Sequence, residues 1–291
     1  MNDNLNIAVI GGDLRQIYIA DHLCENGYSV TVYGTVQSSL LKPHRIAASL
    51  AHALDICDVI VCPTPFSKNG SYLFTENEEI SITNSLLEQT LTPNHFVVGG
   101  DFTKDFLNYC LFHQIEYYDF MKDDVIAIEN AVATAEGAIA IAIQSSSINL
   151  SKSRCLVLGF GRCGKILARK LDGFQTSLTI STRNTSSLAY GNSLGYEVFP
   201  LSELKDNLSN FDYIFNTIPS MLLTQEYLSK LSPETTIIDI ASSPGGLDYD
   251  YAKKHHLNAH LCLGIPGKIS PKATGIILSN ALLKKLKERS D

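Results

Sequence analysis

The chain has 291 residues, of which 45% are hydrophobic and 18% charged, a composition typical of globular proteins with enough apolar material for two cores. Its formal net charge of -7 argues against non-specific nucleic-acid binding, although a local basic pocket for a small anion is compatible with that charge. No apolar run reaches the length of a membrane span, and the N-terminal apolar run, residues 7–10, is too short for the core of a secretion signal, so we expect a cytoplasmic protein with no membrane partner.

Strands and helices alternate in the first half of the chain. A buried strand is predicted over residues 6–10, followed by a glycine turn and a helix that runs to about residue 26. Further strands are predicted near residues 29–33, 58–62, 95–99 and 115–118. This alternation is typical of βαβ units, and it predicts a parallel sheet covered by helices.

The first glycine turn, Gly11-Gly12, lacks the third glycine of a dinucleotide loop, and Asp13 would repel a phosphate at the helix N-terminus. We therefore interpret this end of the sheet as a substrate site. Arg15 can bind a carboxylate through two parallel hydrogen bonds, and Gln16 adds a further donor. Thr64 follows the third strand at the same edge. The alternative for Arg15 is an exposed charge on the first helical turn.

A long helix is predicted over residues 130–143, where nearly every position is apolar or small. A helix without a polar face is predicted to be buried on all sides, so we place this one at the interface between two domains. Its polar residues, Asn130 and Thr134, are candidates for substrate binding. Its one charged residue is Glu136.

The second half opens with a predicted buried strand over residues 154–158, the loop Gly159-Phe160-Gly161-Arg162-Cys163-Gly164 and a helix. Strand, glycine turn and helix N-terminus occur in the order of a dinucleotide-binding fingerprint. The first glycine permits the tight turn, the second admits a pyrophosphate, and the third permits close packing of helix and strand. The alternative is a glycine turn that only connects the two elements.

Further strands of the second half are predicted near residues 177–181, 196–199, 213–216, 236–240 and 259–263. The predicted fold class is therefore α/β, with two doubly wound parallel-sheet (Rossmann-like) domains joined by an interface helix. We place the first domain at residues 1–130, with the terminal helix 272–291 packing back on it, and the cofactor domain at residues 131–271.

The cofactor is predicted to be NADP rather than NAD. An NAD site usually carries an acidic residue at the end of its second strand, but residues 181–187 contain none. They contain Arg183 and several hydroxyl groups, including those of Ser181 and Thr182, and a 2′-phosphate is bound by such donors. The alternative for Arg183 is an exposed residue at a strand end.

Two residues of the glycine loop leave alternatives open. Arg162 either contacts the pyrophosphate or points to solvent. Cys163 is either a reactive thiol at a helix N-terminus or a small residue that fits the turn. All seven cysteines are scattered without a CxxC pair, so we expect reduced cysteines, no disulfide and no metal site.

Turns rich in Gly, Pro and Ser follow the later strands of the second half. In open α/β sheets ligands bind at the carboxyl ends of the strands, so these turns are predicted to line the nicotinamide pocket. The alternative is that these residues only end each strand and begin the following loop. The candidate residues of these turns are Asn216, Thr217, Ile218, Pro219, Ala241 and Ser242 for the cofactor and Ser220 for the substrate.

The last helix is predicted to begin at Ser270 as N-cap, with Pro271 in the first helical position. Lys272 then lies in the first turn, where the helix dipole disfavours a cation. A lysine at that position is explained either by a bound anion or by simple solvation.

These motifs together resemble the family of dipicolinate synthase A subunits. The resemblance rests on 7–16, Thr134-Ala135-Glu136-Gly137, the GxGRxG loop, 216–220, 239–246, 264–267 and 271–275, in that order along the chain. It implies the NADP-dependent oxidation of a hydroxylated tetrahydrodipicolinate, or of its dehydrated dihydro form, to dipicolinate during sporulation. It also implies a flavoprotein-like dipicolinate synthase B subunit as partner and the mother-cell cytoplasm as location. A homo-oligomer is left open.

The implied reaction assigns roles to three residues. Arg15 and Lys272 would hold the two carboxylates of the substrate, and Glu136 would take up the ring proton. Burial at a domain interface would raise the pKa of that glutamate towards a useful range. The first-domain loop, the interface helix and the start of the last helix are expected to converge opposite the nicotinamide.

Two other functions fit the same residues. One is a stand-alone NADP-dependent dehydrogenase or reductase of a small hydroxy or keto acid, although no histidine–carboxylate pair typical of the hydroxyacid dehydrogenases is found at the matching place. The other is a non-catalytic NADP-binding regulator, which would bind NADPH without turnover.

Overall fold

The structure, a computed structural model, describes residues 5–38 and 45–290, without the side chain of Ser290. Its internal contacts divide the chain into two compact units. One consists of the described residues up to Ala127 together with those from Ser270 onward, and the other is Ile128–Ile269. The sequence predicts the two domain boundaries after residue 130 and after residue 271. Residue 291, included in the predicted last helix, lies outside the described residues.

The first unit is built on a parallel sheet of six strands in the order β3-β2-β1-β4-β5-β6, the doubly wound order in which the direction of winding reverses between β1 and β4. Apolar residues with little or no exposure fill its central strands. The strands are β1 (Asn6–Ile10), β2 (Ser29–Tyr33), β3 (Arg45–Ile46), β4 (Val59–Val61), β5 (Phe96–Gly99) and β6 (Glu116–Asp119).

Helices cover both faces of this sheet, and most of them begin where a side chain caps the first turn, as Asp13 does for the first helix. They are α1 (Leu14–Glu25), α2 (Leu50–Asp55), α3 (Asn84–Thr90), α4 (Lys104–Phe112), the first residues of α5 (Asp124–Gln144) and the terminal helix Pro271–Ser290. A 3-10 turn, Phe120–Lys122, precedes α5.

The second unit repeats this plan with its own parallel sheet, in the order β12-β11-β10-β7-β8-β9. Its strands are β7 (Arg154–Leu158), β8 (Ser177–Thr182), β9 (Glu197–Pro200), β10 (Tyr213–Asn216), β11 (Thr236–Asp239) and β12 (Ala259–Leu261). Its helices are α6 (Arg162–Gly173), α7 (Thr185–Ser193), α8 (Leu204–Asn207), α9 (Gln225–Leu228), α10 (Tyr249–Lys254) and α11 (Ile265–Ile269); the 3-10 turns are Leu201–Glu203 and Leu208–Asn210.

Two six-stranded parallel sheets with flanking helices confirm the predicted fold class. The predicted strands are present, with ends shifted by at most two residues. The sequence analysis missed Arg45–Ile46, a two-residue edge strand whose side chains are both exposed. Such a strand carries no apolar run, so hydrophobic periodicity does not indicate it.

The helix predicted over residues 130–143 is α5, which begins at Asp124. It starts earlier because the Asp123 carboxylate accepts hydrogen bonds from the backbone N–H groups of Val125 and Ile126, a cap that the prediction overlooked. The prediction that this helix is buried on all sides was wrong, since Val132 and Ile143 are 41% and 47% exposed.

Among the described residues, α5 is the one helix long and apolar enough to cross a membrane, judged by length and composition alone. The core helix of a soluble protein meets the same criterion. Ala135, Ala138 and Ala142 of α5 are buried against the apolar residues of β7, so this part of the helix belongs to the core of the second unit.

The terminal helix α12 (Pro271–Ser290) packs along α1 within the first unit. Leu278, Leu282 and Leu286 are buried in the same apolar cluster as residues of α1. Ser279 Oγ lies 2.8 Å from His22 Nδ1. A Cβ at Gly275 would lie 2.9 Å from the carbonyl oxygen of Arg15. The two helices therefore run in the same direction, and their N-termini lie side by side.

Candidate functional site

The glycine loop between β7 and α6 contains three glycines in different surroundings. Gly159 has φ of +90°, a left-handed conformation that favours glycine, and a Cβ there would collide with Thr217 Oγ1. A Cβ at Gly164 would collide with the carbonyl oxygen of Gly159, so a side chain there would push the helix off the strand. These two glycines shape the turn and permit the close packing of α6 on β7.

Gly161 differs, because a Cβ at this position would meet no atom of the described residues within 4 Å. Gly161 is also the N-cap of α6, and it supplies no side-chain hydrogen bond to the first turn. The positive end of the helix dipole therefore faces open space beside an exposed glycine. This arrangement fits a bound pyrophosphate, which needs both close approach to the backbone and unshielded N–H groups.

The side chains of the glycine loop offer fewer groups to a cofactor than the sequence indicated. Phe160 is 4% exposed and packs among Tyr190 and Tyr196, so only its backbone is available to a cofactor. Burial raises the pKa of the Cys163 thiol, and the nearby Arg162 lowers it by less, which favours the small-residue interpretation over a reactive thiolate. Arg162 is exposed at the start of α6.

The end of β8 carries the groups expected to select the cofactor. Arg183 is exposed directly after the strand, and no ion pair to it occurs within the described residues. Ser181 is fully buried, and its hydroxyl has no hydrogen-bond partner among the described residues. Thr182 is 8% exposed, and Asn184 caps α7 by accepting a hydrogen bond from the Ser187 N–H. Ser181 and Thr182 are buried, so the groups that this edge exposes to an anion are the Arg183 guanidinium and the hydroxyls of Thr185 and Ser186.

The loop after β10 is fixed by its own residues. Thr217 Oγ1 donates to the Leu158 carbonyl at 2.9 Å, which ties the loop to the start of the glycine turn. The Asn216 amide bonds both the N–H and the carbonyl of Ile218. Asn216 is completely buried, so the prediction that its side chain contacts the cofactor is corrected: it shapes the loop. Pro219 and Ser220 are exposed at the tip of this loop.

Asp239, at the end of β11, was missed by the sequence analysis. It pairs in register with Asn216 in the neighbouring strand and is completely buried. Its carboxylate accepts hydrogen bonds from Asn216 Nδ2, the Ala241 N–H, the Gly246 N–H and the Tyr249 hydroxyl at 2.6–3.0 Å. A signal was present, because two adjacent apolar strands each end in a polar residue that precedes a turn.

Ala241 and Ser242 follow Asp239. Ala241 is 3% exposed and its N–H is used by Asp239, so it shapes the loop, whereas Ser242 is exposed. Gly246 closes the same loop, and a Cβ there would collide with Asn216 Nδ2 and lie 2.9 Å from the Ile218 carbonyl oxygen. The Pro-Gly-Gly sequence therefore serves the close contact between the loops after β10 and β11.

At the carboxyl edge of the first sheet, Asp13 and Arg15 form a partly buried ion pair. Arg15 Nε and Nη2 donate to the Asp13 carboxylate at 2.8–3.2 Å, and Nη2 also donates to the Thr64 carbonyl. Arg15 Nη1 has no hydrogen bond within the described part of the chain. The predicted contact of Arg15 with a carboxylate through two hydrogen bonds is therefore made to Asp13 and not left for a substrate, which corrects that prediction. Of the guanidinium nitrogens, Nη1 is left for an anion. The Thr64 hydroxyl is buried without a partner among the described residues.

Gln16 was predicted to donate a hydrogen bond to the substrate, and the structure corrects this. Its side chain is 3% exposed, and Nε2 donates to the carbonyl oxygens of Ile10 and Val61. Both donors of the amide are therefore used to join the ends of β1 and β4. Gln16 stabilises the edge of the sheet and does not contact a ligand through Nε2.

The first glycine turn is covered by a segment of the same unit. The Gly12 N–H donates to the Phe74 carbonyl at 2.7 Å, and the Glu76 N–H donates to the Gly12 carbonyl. A Cβ at Gly11 would lie 2.8 Å from the Phe74 carbonyl oxygen. The backbone groups that would cradle a phosphate are occupied, which supports the interpretation of this turn as something other than a second dinucleotide site.

Lys272 is exposed in the first turn of α12. Because α1 and α12 run side by side in the same direction, Lys272 lies at the same end of the helix pair as Arg15. Arg15 is neutralised by Asp13, so Lys272 supplies the net positive charge at this edge, and together with the two helix N-termini it favours an anion.

The polar residues of α5 do not share one environment. The hydroxyl of Thr134 donates to the carbonyl of Asn130, and the Asn130 side-chain oxygen is buried without a partner among the described residues. Glu136 is 53% exposed and forms a 2.8 Å ion pair with Lys170, in the last turn of α6. It lies at the end of α6 opposite the glycine loop. The predicted role of Glu136 as catalytic base is therefore wrong, because the side chain is neither desolvated nor free.

Glu136→Gln is accordingly expected to leave turnover within about twofold of the wild type. An exposed ion pair contributes about 0–1 kcal/mol, so the free energy of unfolding should fall by no more than that. Steady-state turnover and urea denaturation of the purified variant check this. A loss of turnover of about 100-fold or more, the ordinary size for a lost general base, would restore the catalytic role.

Comparison with known proteins identifies close relatives. Residues 6–121 match the profile described as the N-terminal domain of the dipicolinate synthase A subunit. The chain is similar to the dipicolinate synthase A subunit of Bacillus subtilis (strain 168), with 34% identity over 99% of this chain and 98% of that protein.

Solved structures show the same relation. A crystal structure of the dipicolinate synthase A subunit from Bacillus halodurans superposes with a TM-score of 0.90 at 29% identity, covering 98% of this chain and 99% of that one. A transhydrogenase from Sinorhizobium meliloti superposes with a TM-score of 0.67 at 12% identity, covering 97% and 94% of the two chains. The second likeness shows the fold alone.

Proposed function

This chain belongs to the family of dipicolinate synthase A subunits, and we propose that it oxidises a dihydro- or hydroxytetrahydro-dipicolinate to dipicolinate with NADP as the acceptor. Homology and a dehydrogenase-type fold indicate an oxidoreductase that uses a nicotinamide nucleotide. The name of the Bacillus subtilis relative designates one component of a synthase, which implies a partner. We further propose that this partner is the flavoprotein-like B subunit of dipicolinate synthase and that the protein acts in the mother-cell cytoplasm of a sporulating bacterium.

The observation that carries the cofactor assignment is the open space at Gly161 between two crowded glycines. Gly159 and Gly164 have packing reasons to be glycine, but among the described residues no packing reason is found for Gly161. Gly173, at the far end of α6, is equally open, so open space alone does not require a ligand; at Gly161 the space adjoins the N-terminus of α6, which favours an anion that approaches the backbone. When bound, the oxidised nucleotide supplies the acceptor for a hydride.

The choice of NADP rests on the end of β8. Arg183 would pair with a 2′-phosphate, and the hydroxyls that follow it would add hydrogen bonds. No carboxylate occurs from residue 181 to residue 187, so the ribose hydroxyl of NAD lacks its usual acceptor there. The buried and unpaired Ser181 hydroxyl lies in the same strand end.

The first unit is proposed to hold the dicarboxylate. Arg15 is oriented by Asp13 and by the Thr64 carbonyl, and Lys272 adds a second cation at the same end of the helix pair. One carboxylate at each cation would fix the ring without any further acid or base. The hydroxylated ring loses water to give the dihydro form. The dihydro form then gives a hydride to NADP and a proton to solvent, which yields the aromatic product and NADPH. Aromatisation supplies driving force, so the protein mainly positions the reactants.

Lys272→Ala is expected to raise the KM for the dicarboxylate by about tenfold or more, the size of one lost hydrogen bond to a charged group. The dissociation constant for NADPH should not change. Lys287→Ala, at the other end of the same helix, is the matched control. An unchanged KM in Lys272→Ala would contradict the assignment. A substitution of Arg15 would be harder to interpret, because removing its guanidinium leaves the Asp13 carboxylate unpaired.

The proposed activity is tested by incubating the purified protein with NADP and freshly generated hydroxytetrahydrodipicolinate, with and without the B subunit, and identifying the product. Formation of dipicolinate supports the proposal. Turnover of simple hydroxy or keto acids, with none of the ring compound, would instead indicate a stand-alone dehydrogenase. Binding of NADPH without turnover of any of these compounds would indicate a regulator.

A further inference from the structure

Asp239 uses its whole hydrogen-bonding capacity within the protein. One carboxylate oxygen accepts from Asn216 Nδ2 at 2.8 Å and from the Ala241 N–H at 3.0 Å. The other accepts from the Gly246 N–H and the Tyr249 hydroxyl, each at 2.6 Å. A carboxylate has about four acceptor positions, and all four are filled. Asp239 therefore has no position left for a substrate or cofactor.

These four bonds join segments that are separate in the chain. Asn216 continues the network to both backbone groups of Ile218. The Gly246 carbonyl accepts from the N–H groups of Leu222 and Leu223 at 3.0 and 2.9 Å. The loops 217–223 and 240–246 are thus fastened to each other and to one buried carboxylate.

The network also reaches the glycine turn. The Thr217 N–H and hydroxyl both donate to the Leu158 carbonyl at 2.9 Å, directly before Gly159. The conformation of the loop after β10 is therefore coupled to that of the dinucleotide loop. Within the described residues, this chain of bonds connects three of the turns at the carboxyl edge of the second sheet.

The Tyr249 hydroxyl is the one donor of the network that comes from a helix, α10. Burial, and then the hydrogen bond to Asp239, raise the pKa of Tyr249, so the hydroxyl stays protonated and donates. Asp239 itself meets only neutral donors in this network. A buried carboxylate held by neutral donors is costly to leave partly unsatisfied, so the loss of one donor should loosen the loops it serves.

We propose that Asp239 is a positioning residue, which acts through Asn216 and Tyr249 to hold the loops 217–223 and 240–246 in the conformation that receives the nicotinamide half of the cofactor. This inference rests on the proposed function for the identity of the ligand. The ordering of the two loops by Asp239 does not depend on the proposed function, because it is a property of the protein without a ligand.

The test compares Tyr249→Phe with Tyr251→Phe in the full-length protein. Tyr249→Phe removes one donor to Asp239 and keeps the ring. Tyr251 lies on the same helix, and its ring stacks on His255, so Tyr251→Phe is a matched loss of a hydroxyl outside the network. Hydrogen–deuterium exchange of each loop is measured without ligand, and the dissociation constant for NADPH is measured by titration.

Tyr249→Phe is expected to speed exchange in both loops by about tenfold, the size of one hydrogen bond to a charged group, with β7 and β8 unchanged. Its dissociation constant for NADPH should rise by about three- to tenfold. Tyr251→Phe should change neither quantity. Asp239→Asn should have larger effects of the same kind, because an amide nitrogen would face an existing donor.

Equal exchange in the two tyrosine variants would overturn the ordering of the loops by Asp239. Faster exchange with an unchanged dissociation constant would overturn its link to the cofactor. If the wild-type protein does not bind NADPH, the proposed function fails with it, and the exchange comparison still decides whether Asp239 orders these loops.

Discussion

Gly161→Val is expected to weaken NADPH binding by at least about 100-fold, or roughly 3 kcal/mol, while the protein stays folded. The valine side chain would occupy the open space in which a pyrophosphate approaches the backbone. Gly161 has extended backbone angles that valine adopts readily, and within the described part of the chain its added Cβ meets no atom closer than 4 Å. Valine is a poorer N-cap than glycine, so the free energy of unfolding should fall by about 1 kcal/mol, which leaves the protein folded.

The matched control is Gly173→Val, at the other end of α6. A Cβ at Gly173 also meets none of the described atoms within 4 Å, so both variants add the same side chain to the same helix at a position where the Cβ is unobstructed. Titration with NADPH and urea denaturation are carried out on both proteins. Wild-type affinity in a folded Gly161→Val protein would show that this loop does not bind the phosphates.

Arg183→Ala is expected to weaken NADPH binding by about 1.5–3 kcal/mol, or about 10- to 150-fold, and to leave NADH binding unchanged. The lost interaction is a charge-assisted hydrogen bond to the 2′-phosphate, a group that NADH lacks. Arg183 is exposed and follows the last residue of β8, so its removal should not disturb the core.

Arg169→Ala, another exposed arginine of the second unit, controls for the general loss of positive charge. The dissociation constants for NADPH and NADH are compared for the wild type and both variants. Equal or tighter binding of NADH by the wild-type protein would contradict the predicted preference. If Arg183→Ala lost the same affinity for NADPH as for NADH, the arginine would be assigned to a contact that both nucleotides share.

The fold was predictable from the sequence because its signals are local. Each central strand is a short apolar run that ends in a glycine, proline or polar turn, and each of these runs is followed by a helical pattern. The pattern over residues 154–171 alone specifies a strand, a turn and a helix. The edge strand Arg45–Ile46 was not predicted, because two exposed residues show no hydrophobic periodicity.

The candidate site was less predictable, because side-chain partners come from distant parts of the chain. Glu136 attracted attention as the one charge in an apolar helix, but its partner Lys170 lies 34 residues away on another helix. Gln16 seemed available as a donor, yet the ends of β1 and β4 use both of its N–H groups. Spacing along the sequence reveals neither partnership.

Asp239 was not predicted to have a role, because it belongs to no obvious motif, yet it organises two loops. Its importance follows from strand register, which places it beside Asn216, and from the close approach of Gly246. Polar residues at the ends of adjacent buried strands are therefore candidates for such networks in other sheets of this type.

The most direct test of the proposed reaction is its stoichiometry. NADPH and dipicolinate are measured together during turnover of the cyclic dicarboxylate by the wild-type protein with its proposed B-subunit partner, and again with Gly161→Val in its place. The proposal predicts one NADPH formed for each dipicolinate, and neither product with the variant. Dipicolinate formed without NADPH, or at an equal rate with the variant, would contradict the role of this chain as the NADP-dependent oxidoreductase.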